Sequence, residues 1–278
     1  MPFVPAEAQT IPFTAIVMAA RRGGNLDPLA AEAGVSHKAL VPIVGKPLIE
    51  YVLRALADTP GISAIRICME PEAMDLLRGV PGASGEFGVP VEFVASGDNL
   101  ADSAYLASEG LEGAILITTA DNVNMTPDAI VKVMQPVVAG ADASLGVAER
   151  KSVIAARMQE DGPATAKVGP YALRDGRFSN CNLYFFAGRH VMALAEAFRE
   201  GGQFSKKRKR MIKVVGYFNI LLFLARVLTI HQAIRRLGRR FGMHLEAVVL
   251  EDGAQAVDVD NPNAYKAAEA IIRLRTGQ

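Results

Sequence analysis

Asp121 follows the apolar run AILIT (114–118), and Asp258 and Asp260 alternate with valines in VDVD (257–260). An aspartate just past a buried strand, before a helix opening at Thr126-Pro127, is placed to hold a divalent cation. Mg²⁺ takes one or two carboxylates plus phosphate oxygens and water. A turn or helix-capping aspartate is the alternative at Asp121. In VDVD the strand period puts both carboxylates on one face and both valines on the other, so the pair repels unless a cation or base lies between them. A solvated edge strand is the alternative there. Asn261-Pro262 reads as the cap of the last helix. Lys38, in the loop after the first apolar run, could reach a bound phosphate as a mobile point charge. The stretch AARRGGNLDPLA (19–30) comes directly after TAIVM (14–18), a strand running into a glycine-containing turn. Alone, that turn cannot be told from a basic surface loop.

These residues need a frame. Short apolar or β-branched runs recur at 14–18, 64–69, 91–95, 114–118, 143–148, 182–187 and 245–250. Patterns with apolar positions three and four apart alternate with the early ones at 46–58, 71–79, 100–111 and 126–139, which predicts helices there. Strand–helix alternation predicts a doubly wound, mostly parallel sheet with right-handed crossovers. Ligands of such sheets sit at the carboxyl ends of the strands, where Lys38 and Asp121 fall. Residues 150–180 read as polar and turn-rich, and 203–243 as a basic and apolar helical section. Strand 245–250 and a last helix over NPNAYKAAEAIIRLR close the chain.

Bulk properties narrow the class. Half of the 278 residues are hydrophobic, aromatics are 6% and Trp is absent, so the core is mostly aliphatic. That suits a helix-covered parallel sheet better than a β-sandwich. Thirty basic and 29 acidic residues leave no global field pointing to nucleic acid. Cys68 and Cys181 form neither a metal pair nor a disulfide framework, and no secretory segment is visible at the N-terminus, so a cytoplasmic protein is expected. No G-x-G-x-x-G comes after the first strand, which argues against dinucleotide binding. His37, His190, His231 and His244 show no ligand spacing and read as structural or solvated.

Taken together, the strand with its Gly/Arg loop, the lysine followed by LVPIVGKPLI, the aspartate after a middle strand and the late D-V-D-N-P resemble the MobA-like NTP transferases and the wider sugar-phosphate nucleotidyltransferases. The resemblance implies an α/β fold: a Rossmann-like (GT-A-like), mostly parallel twisted sheet with helices on both faces. It implies one nucleotidyltransferase domain over 1–278, with a helical insert at about 203–243. It also implies a Mg²⁺ (or Mn²⁺) dependent reaction in which an acceptor phosphate attacks the α-phosphorus of an NTP and expels pyrophosphate. By the same resemblance, Ala19, Ala20, Arg21, Gly23 and Gly24 wrap the triphosphate. Lys38, Arg22 and Asp121 serve the transfer, and Gly97, Asn99 and Ser103 lie near the base, with CTP or GTP favoured. Asn182 and Lys167 face the phosphorylated small-molecule acceptor, and Asp121, Asp258 and Asp260 hold the metal. Asn122 is not a carboxylate, so a D-x-D pair after the fourth strand is absent. That disfavours a nucleotide-sugar glycosyltransferase, one alternative; a non-catalytic nucleotide sensor or scaffold is the other.

The section GGQFSKKRKRMIKVVGYFNILLFLARVLTIHQAIRRLGRRFG concentrates positive charge at 206–213 and 235–240 around an apolar helix. It reads first as a subdomain packed on the sheet or on a second subunit, giving a homodimer. Two other readings stay open, a lid for an anionic acceptor and peripheral membrane contact.

Overall fold

The computed structural model describes residues 9–21, 25–158, 167–192 and 217–278. The described elements run β1 Phe13–Met18, α1 Pro28–Glu32, β2 Pro42–Ile43, β3 Lys46–Pro47, α2 Leu48–Ala57, β4 Ile62–Met69, α3 Met74–Arg78, β5 Val91–Ala95, α4 Leu100–Ala107 and β6 Ala114–Thr119. Then come α5 Pro127–Val138, β7 Ala143–Glu149, α6 Arg150–Ala156, β8 Tyr171–Leu173, β9 Gly176–Phe186, α7 Tyr217–Leu224, α8 Ile230–Arg240, β10 Leu245–Leu250 and α9 Pro262–Thr276.

The main sheet has the order β10-β7-β9-β6-β1-β4-β5, with β8 paired to β9. All neighbours along this order are parallel except at β9, which runs antiparallel to both β6 and β7. The fold is therefore the expected α/β, Rossmann-like, mostly parallel sheet. Its two faces obey the period-two alternation of the strands. Phe13, Ala15 and Val17 of β1, with Ala114 and Leu116 of β6, join the core under α2 and α5, which includes Leu53, Leu56, Ile130 and Met134. Ile16 and Met18, with Ile115 and Ile117, point to the other face against Ala104 and Ala107 of α4. Further along this second face, Val147, Phe178 and Ala247 meet Leu222, Ala233 and Ile234 of α7 and α8. Helices thus cover both faces.

Three sequence expectations need correction. The helix expected from residue 46 begins at Leu48, because Lys46 and Pro47 pair with Pro42 and Ile43 in a two-stranded ribbon. The helix expected over 71–79 is split, a 3₁₀ turn at Pro71–Ala73 preceding the five residues of α3. The stretch 150–180 is more ordered than its polarity suggests: α6 buries only Val153 and Ile154, and β9 starts at Gly176 rather than Asn182. In β9 a register irregularity between its pairings with Leu145 and Val147 interrupts the ladder and masks the strand signal. Residues 203–216, including the basic run 206–213, lie outside the described residues.

Candidate functional site

β1 and β6 are neighbours and end together, so the loops that leave them share one sheet edge. Ala120 N–H donates to Met18 O at 3.0 Å, which carries the pairing one residue past β6 and delivers Asp121 beside the loop leaving β1. On that loop Lys38 opens a 3₁₀ turn, Lys38–Leu40. The late segment 257–260 comes to the same edge, but not as a strand. Val259 N–H donates to the carbonyl of Asp121 at 3.2 Å, a loop-to-loop contact in place of a ladder. The alternation read in the sequence survives all the same. Val257 and Val259 are fully buried, and Asp258 and Asp260 face away from them.

Three amides pin the loop after β6, one to β9 and two to the late segment. Asn122 donates to Cys181 O at 2.9 Å, Asn124 to Val257 O at 3.0 Å, and Gln255 to Asn124 O at 3.0 Å. All three are buried, where an amide is costly unless bonded, so they fix the loop after β6 against β9 and the late segment. In sequence Asn122 counts only as a missing carboxylate. Its role here is to tie the turn after Asp121 to β9, while the last helix follows the 257–260 segment. Asn261 caps that helix as expected, accepting from the N–H groups of Asn263 and Ala264.

The result is a cluster in which Asp121, Asp258 and Asp260 each offer a carboxylate oxygen, all within 4.8 Å of one another. Lys38 Nζ donates to Asp260 Oδ1 at 2.7 Å and also bonds Asp121 Oδ2. Burial alone would lower the lysine pKa, but the two carboxylates outweigh it and hold the ammonium above its ordinary value. Among the described residues no lysine bonds Asp258. Burial first, then the charges of Asp260 and Asp121, push its pKa up to about 8. Asn182 donates to Asp258 Oδ2 at 3.1 Å from a backbone with φ of 50°, a left-handed conformation that asparagine tolerates better than most residues. Asn180 steadies it, its Oδ1 accepting from Asn182 N–H at 3.2 Å.

Beside the cluster lies a cavity of about 290 Å³ walled by Arg157, Lys167, Tyr171, Asn180, Asp258 and Asp260, among others. Arg157 Nε is buried and has no hydrogen-bond partner among the described residues. Burial lowers the pKa of this guanidinium and the nearby Asp258 opposes that. Of the wall residues besides the two aspartates, the resemblance implies a role for Lys167 alone; Arg157, Tyr171 and Asn180 carry no such signal in the sequence. Nothing in the sequence separates Arg157 from the basic residues that usually end a surface helix.

The remaining expected residues fall into two groups, near the end of β1 and at the start of α4. Ala19 is buried and Ala20 half-buried at the end of β1. Arg21 is tied down, its N–H donating to Glu70 Oε1 at 2.8 Å and its Nε to Ser36 O at 3.0 Å. Arg22, Gly23 and Gly24 lie outside the described residues. Gly97 and Ser103 bond each other, Gly97 N–H donating to Ser103 Oγ at 3.0 Å. Asn99 caps α4, accepting from the N–H groups of Ala101 and Asp102. His37 is buried between Ser36 and Glu70, with burial lowering its pKa, and is structural.

The donors fit a hard divalent cation. They are carboxylate oxygens only, and Asp121 Oδ1 is buried without a hydrogen-bond partner among the described residues.

No protein-family description matches the chain, and no curated protein matches it in sequence. Its fold is similar to that of a hypothetical transferase from Thermus thermophilus, 23% identical with a TM-score of 0.69, covering 92% of this chain and 100% of that one. It is also similar to 4-diphosphocytidyl-2C-methyl-D-erythritol synthase from Anaerococcus prevotii, 12% identical with a TM-score of 0.59, covering 95% of this chain and 99% of that one. CMP:2-keto-3-deoxy-manno-octonic acid synthetase, solved with CTP, is 11% identical with a TM-score of 0.54, covering 96% of this chain and 100% of that chain. At these identities the likeness establishes a shared fold.

Proposed function

We propose that the chain is a nucleotidyltransferase that moves a nucleoside monophosphate from an NTP, CTP before GTP, to a phosphorylated small-molecule acceptor. One observation carries this reading. Three carboxylates and Lys38 converge at the ends of β1 and β6, beside a cavity whose wall includes the guanidinium of Arg157. Two neighbours in fold bear names of cytidylyl chemistry, which favours CTP.

In the reaction an acceptor phosphate oxygen forms a bond to the α-phosphorus while the bond to pyrophosphate breaks. No covalent enzyme intermediate is needed, so catalysis rests on alignment and charge neutralisation. Lys38 supplies a mobile cation to the phosphates, backed by the loop that holds Ala19, Ala20, Arg21, Arg22, Gly23 and Gly24. The turn from Gly97 through Asn99 to Ser103 lies at the base. Arg157 and Lys167 hold the acceptor anion, and Asn182 orients Asp258. Asp121, Asp258 and Asp260 would hold Mg²⁺ (or Mn²⁺), which lowers the charge barrier at the phosphates when bound.

Thermal-shift measurements with the four NTPs, with and without Mg²⁺, test the reading, along with pyrophosphate release across a panel of phosphorylated acceptors. Metal-dependent stabilisation by CTP or GTP, and pyrophosphate release lost in Asp121→Asn, are expected. Binding without turnover across the panel would make the chain a sensor. Stabilisation by nucleotide sugars alone would make it a glycosyltransferase.

A further inference from the structure

Residues 201–245 contain eleven of the chain's 30 Lys and Arg and none of its 29 Asp and Glu. A protein of net charge +1 therefore carries one wholly cationic section on an otherwise acidic chain. Within the described part of that section, apolar and cationic side chains share the surface. Leu222 and Leu228 turn inward, onto Val147, Leu173, Phe178 and Ala247. Leu221, Phe223, Leu224 and Val227 turn outward, Leu224 being 67% exposed. Arg226 and Arg239 are exposed alongside. On α8 the inward positions Ala233, Ile234 and Leu237 pack on the sheet while Arg235, Arg239 and Arg240 are exposed, Arg235 pairing with Glu246 of β10, so this helix has a divided surface.

We propose that the α7–α8 face docks onto an anionic phospholipid bilayer surface. Exposed aliphatic and aromatic groups beside arginines, in a section without a single acidic residue, match an interfacial helix: the apolar groups enter the acyl boundary and the arginines meet the headgroups. A nucleic-acid surface would use the charge but leave four large apolar side chains in water. An acidic protein partner would leave them equally unexplained unless it brought its own apolar patch. No described helix is long and apolar enough to cross a membrane, so the contact lies in the surface plane. The face is also joined to the cavity. Leu173 of β8 packs in the same cluster as Leu222, Arg174 N–H donates to Leu228 O at 2.9 Å, and Tyr171 of that short strand walls the cavity. Docking would thus set the cavity close to the headgroup layer.

The test is flotation of the full chain with vesicles of phosphatidylcholine alone and of phosphatidylcholine with about 30% phosphatidylglycerol, at low and at physiological salt. Binding to the anionic vesicles only, weakened by salt, is expected. Leu221→Ser/Leu224→Ser should abolish it. Arg226→Gln/Arg239→Gln should weaken it by about five-fold per charge removed. Both sets lie on exposed positions, and unchanged melting temperatures verify that the variants fold. Three results would overturn the proposal: no binding to anionic vesicles at low salt; binding that survives the leucine substitutions, which marks a purely electrostatic polyanion site; or a dimer in solution that those substitutions split, which makes the face a contact between copies. None depends on nucleotide turnover.

Discussion

Lys38 Nζ lies 2.7 Å from Asp260 Oδ1 and bonds Asp121 on its other side, so a side-chain ammonium sits between two of three clustered carboxylates. The lysine neutralises the cluster from within, and any divalent cation placed there competes with it. In Lys38→Met the metal-free protein loses that counterion. Asp260 is half exposed, so water screens part of the loss, and the cost is about 1–2 kcal/mol. Tm should fall by several degrees. Added Mg²⁺ should raise the variant's Tm more than that of the unaltered protein, while nucleotidyl transfer drops about 10²–10³-fold because the phosphates lose their point charge. An equal Mg²⁺ response in both proteins would separate Lys38 from the metal site.

Asp258 provides a pH test. Its pKa is raised to about 8 by burial and by Asp260 and Asp121, so without metal it keeps its proton at neutral pH. A cation binds the carboxylate form, hence binding must release this proton. Mg²⁺ affinity should therefore rise as pH rises towards and through about 8, and level off above it. Calorimetry in two buffers of different ionisation enthalpy at about pH 7 should show close to one proton released, and none in Asp258→Asn. The folded state also holds a proton that the unfolded chain gives up in the ordinary carboxylate range. Metal-free stability therefore falls as pH climbs from about 4 to about 8, and the loss is complete once the folded state has charged the group. Asp258→Asn should remove that fall.

The sheet and the carboxylates were legible because each rests on a local signal. Strand runs such as 114–118 are apolar and short, and VDVD carries its own alternation. The structure keeps that alternation while replacing the strand with a loop, since the valines need a core to face but not a ladder to join. Features that depend on distant partners left no such signal. Asn122, Asn124 and Gln255 look like ordinary polar loop residues until the carbonyls they meet 59, 133 and 131 positions away are known. Arg157 gains meaning only from the cavity that β8 and β9 close around it. Asn99 carries two readings at once: the resemblance implies a place near the base, and its side-chain oxygen caps α4.

Arg157 has a buried Nε without a hydrogen-bond partner among the described residues, facing a cavity shared with Lys167. An anionic acceptor group would satisfy it, and charge-assisted bonds of this kind contribute about 1.5–3 kcal/mol. Arg157→Gln should therefore raise the KM for the acceptor about 10–100-fold with the KM for NTP little changed. Arg157→Lys should recover only part, because an ammonium lacks the planar fork. Steady-state kinetics with each substrate varied in turn decides it. A matching rise in both KM values would place Arg157 in general stability rather than acceptor binding.

Gly253 couples the site to α6 by close packing. A Cβ at this position would lie 2.1 Å from the backbone C and O of Ser152 and 2.4 Å from Val153 N. Those atoms belong to a helix backbone and cannot swing aside as a side-chain tip would. Gly253 begins the 3₁₀ turn that leads to Asp258, while Ser152 lies in α6, the helix whose C-cap is Arg157. Gly253→Ala must push the turn and the helix apart, shifting Asp258 and Asp260 away from Arg157 within the cavity wall. Overpacking of this severity costs about 3 kcal/mol. Gly79→Ala is the matched control, since its Cβ would meet nothing within 4 Å and its φ is not positive, so its stability should move by no more than about 0.5 kcal/mol. Urea unfolding midpoints compare the two. Mg²⁺-induced stabilisation should shrink in Gly253→Ala and persist in Gly79→Ala, because only the first displaces Asp258 relative to Asp121.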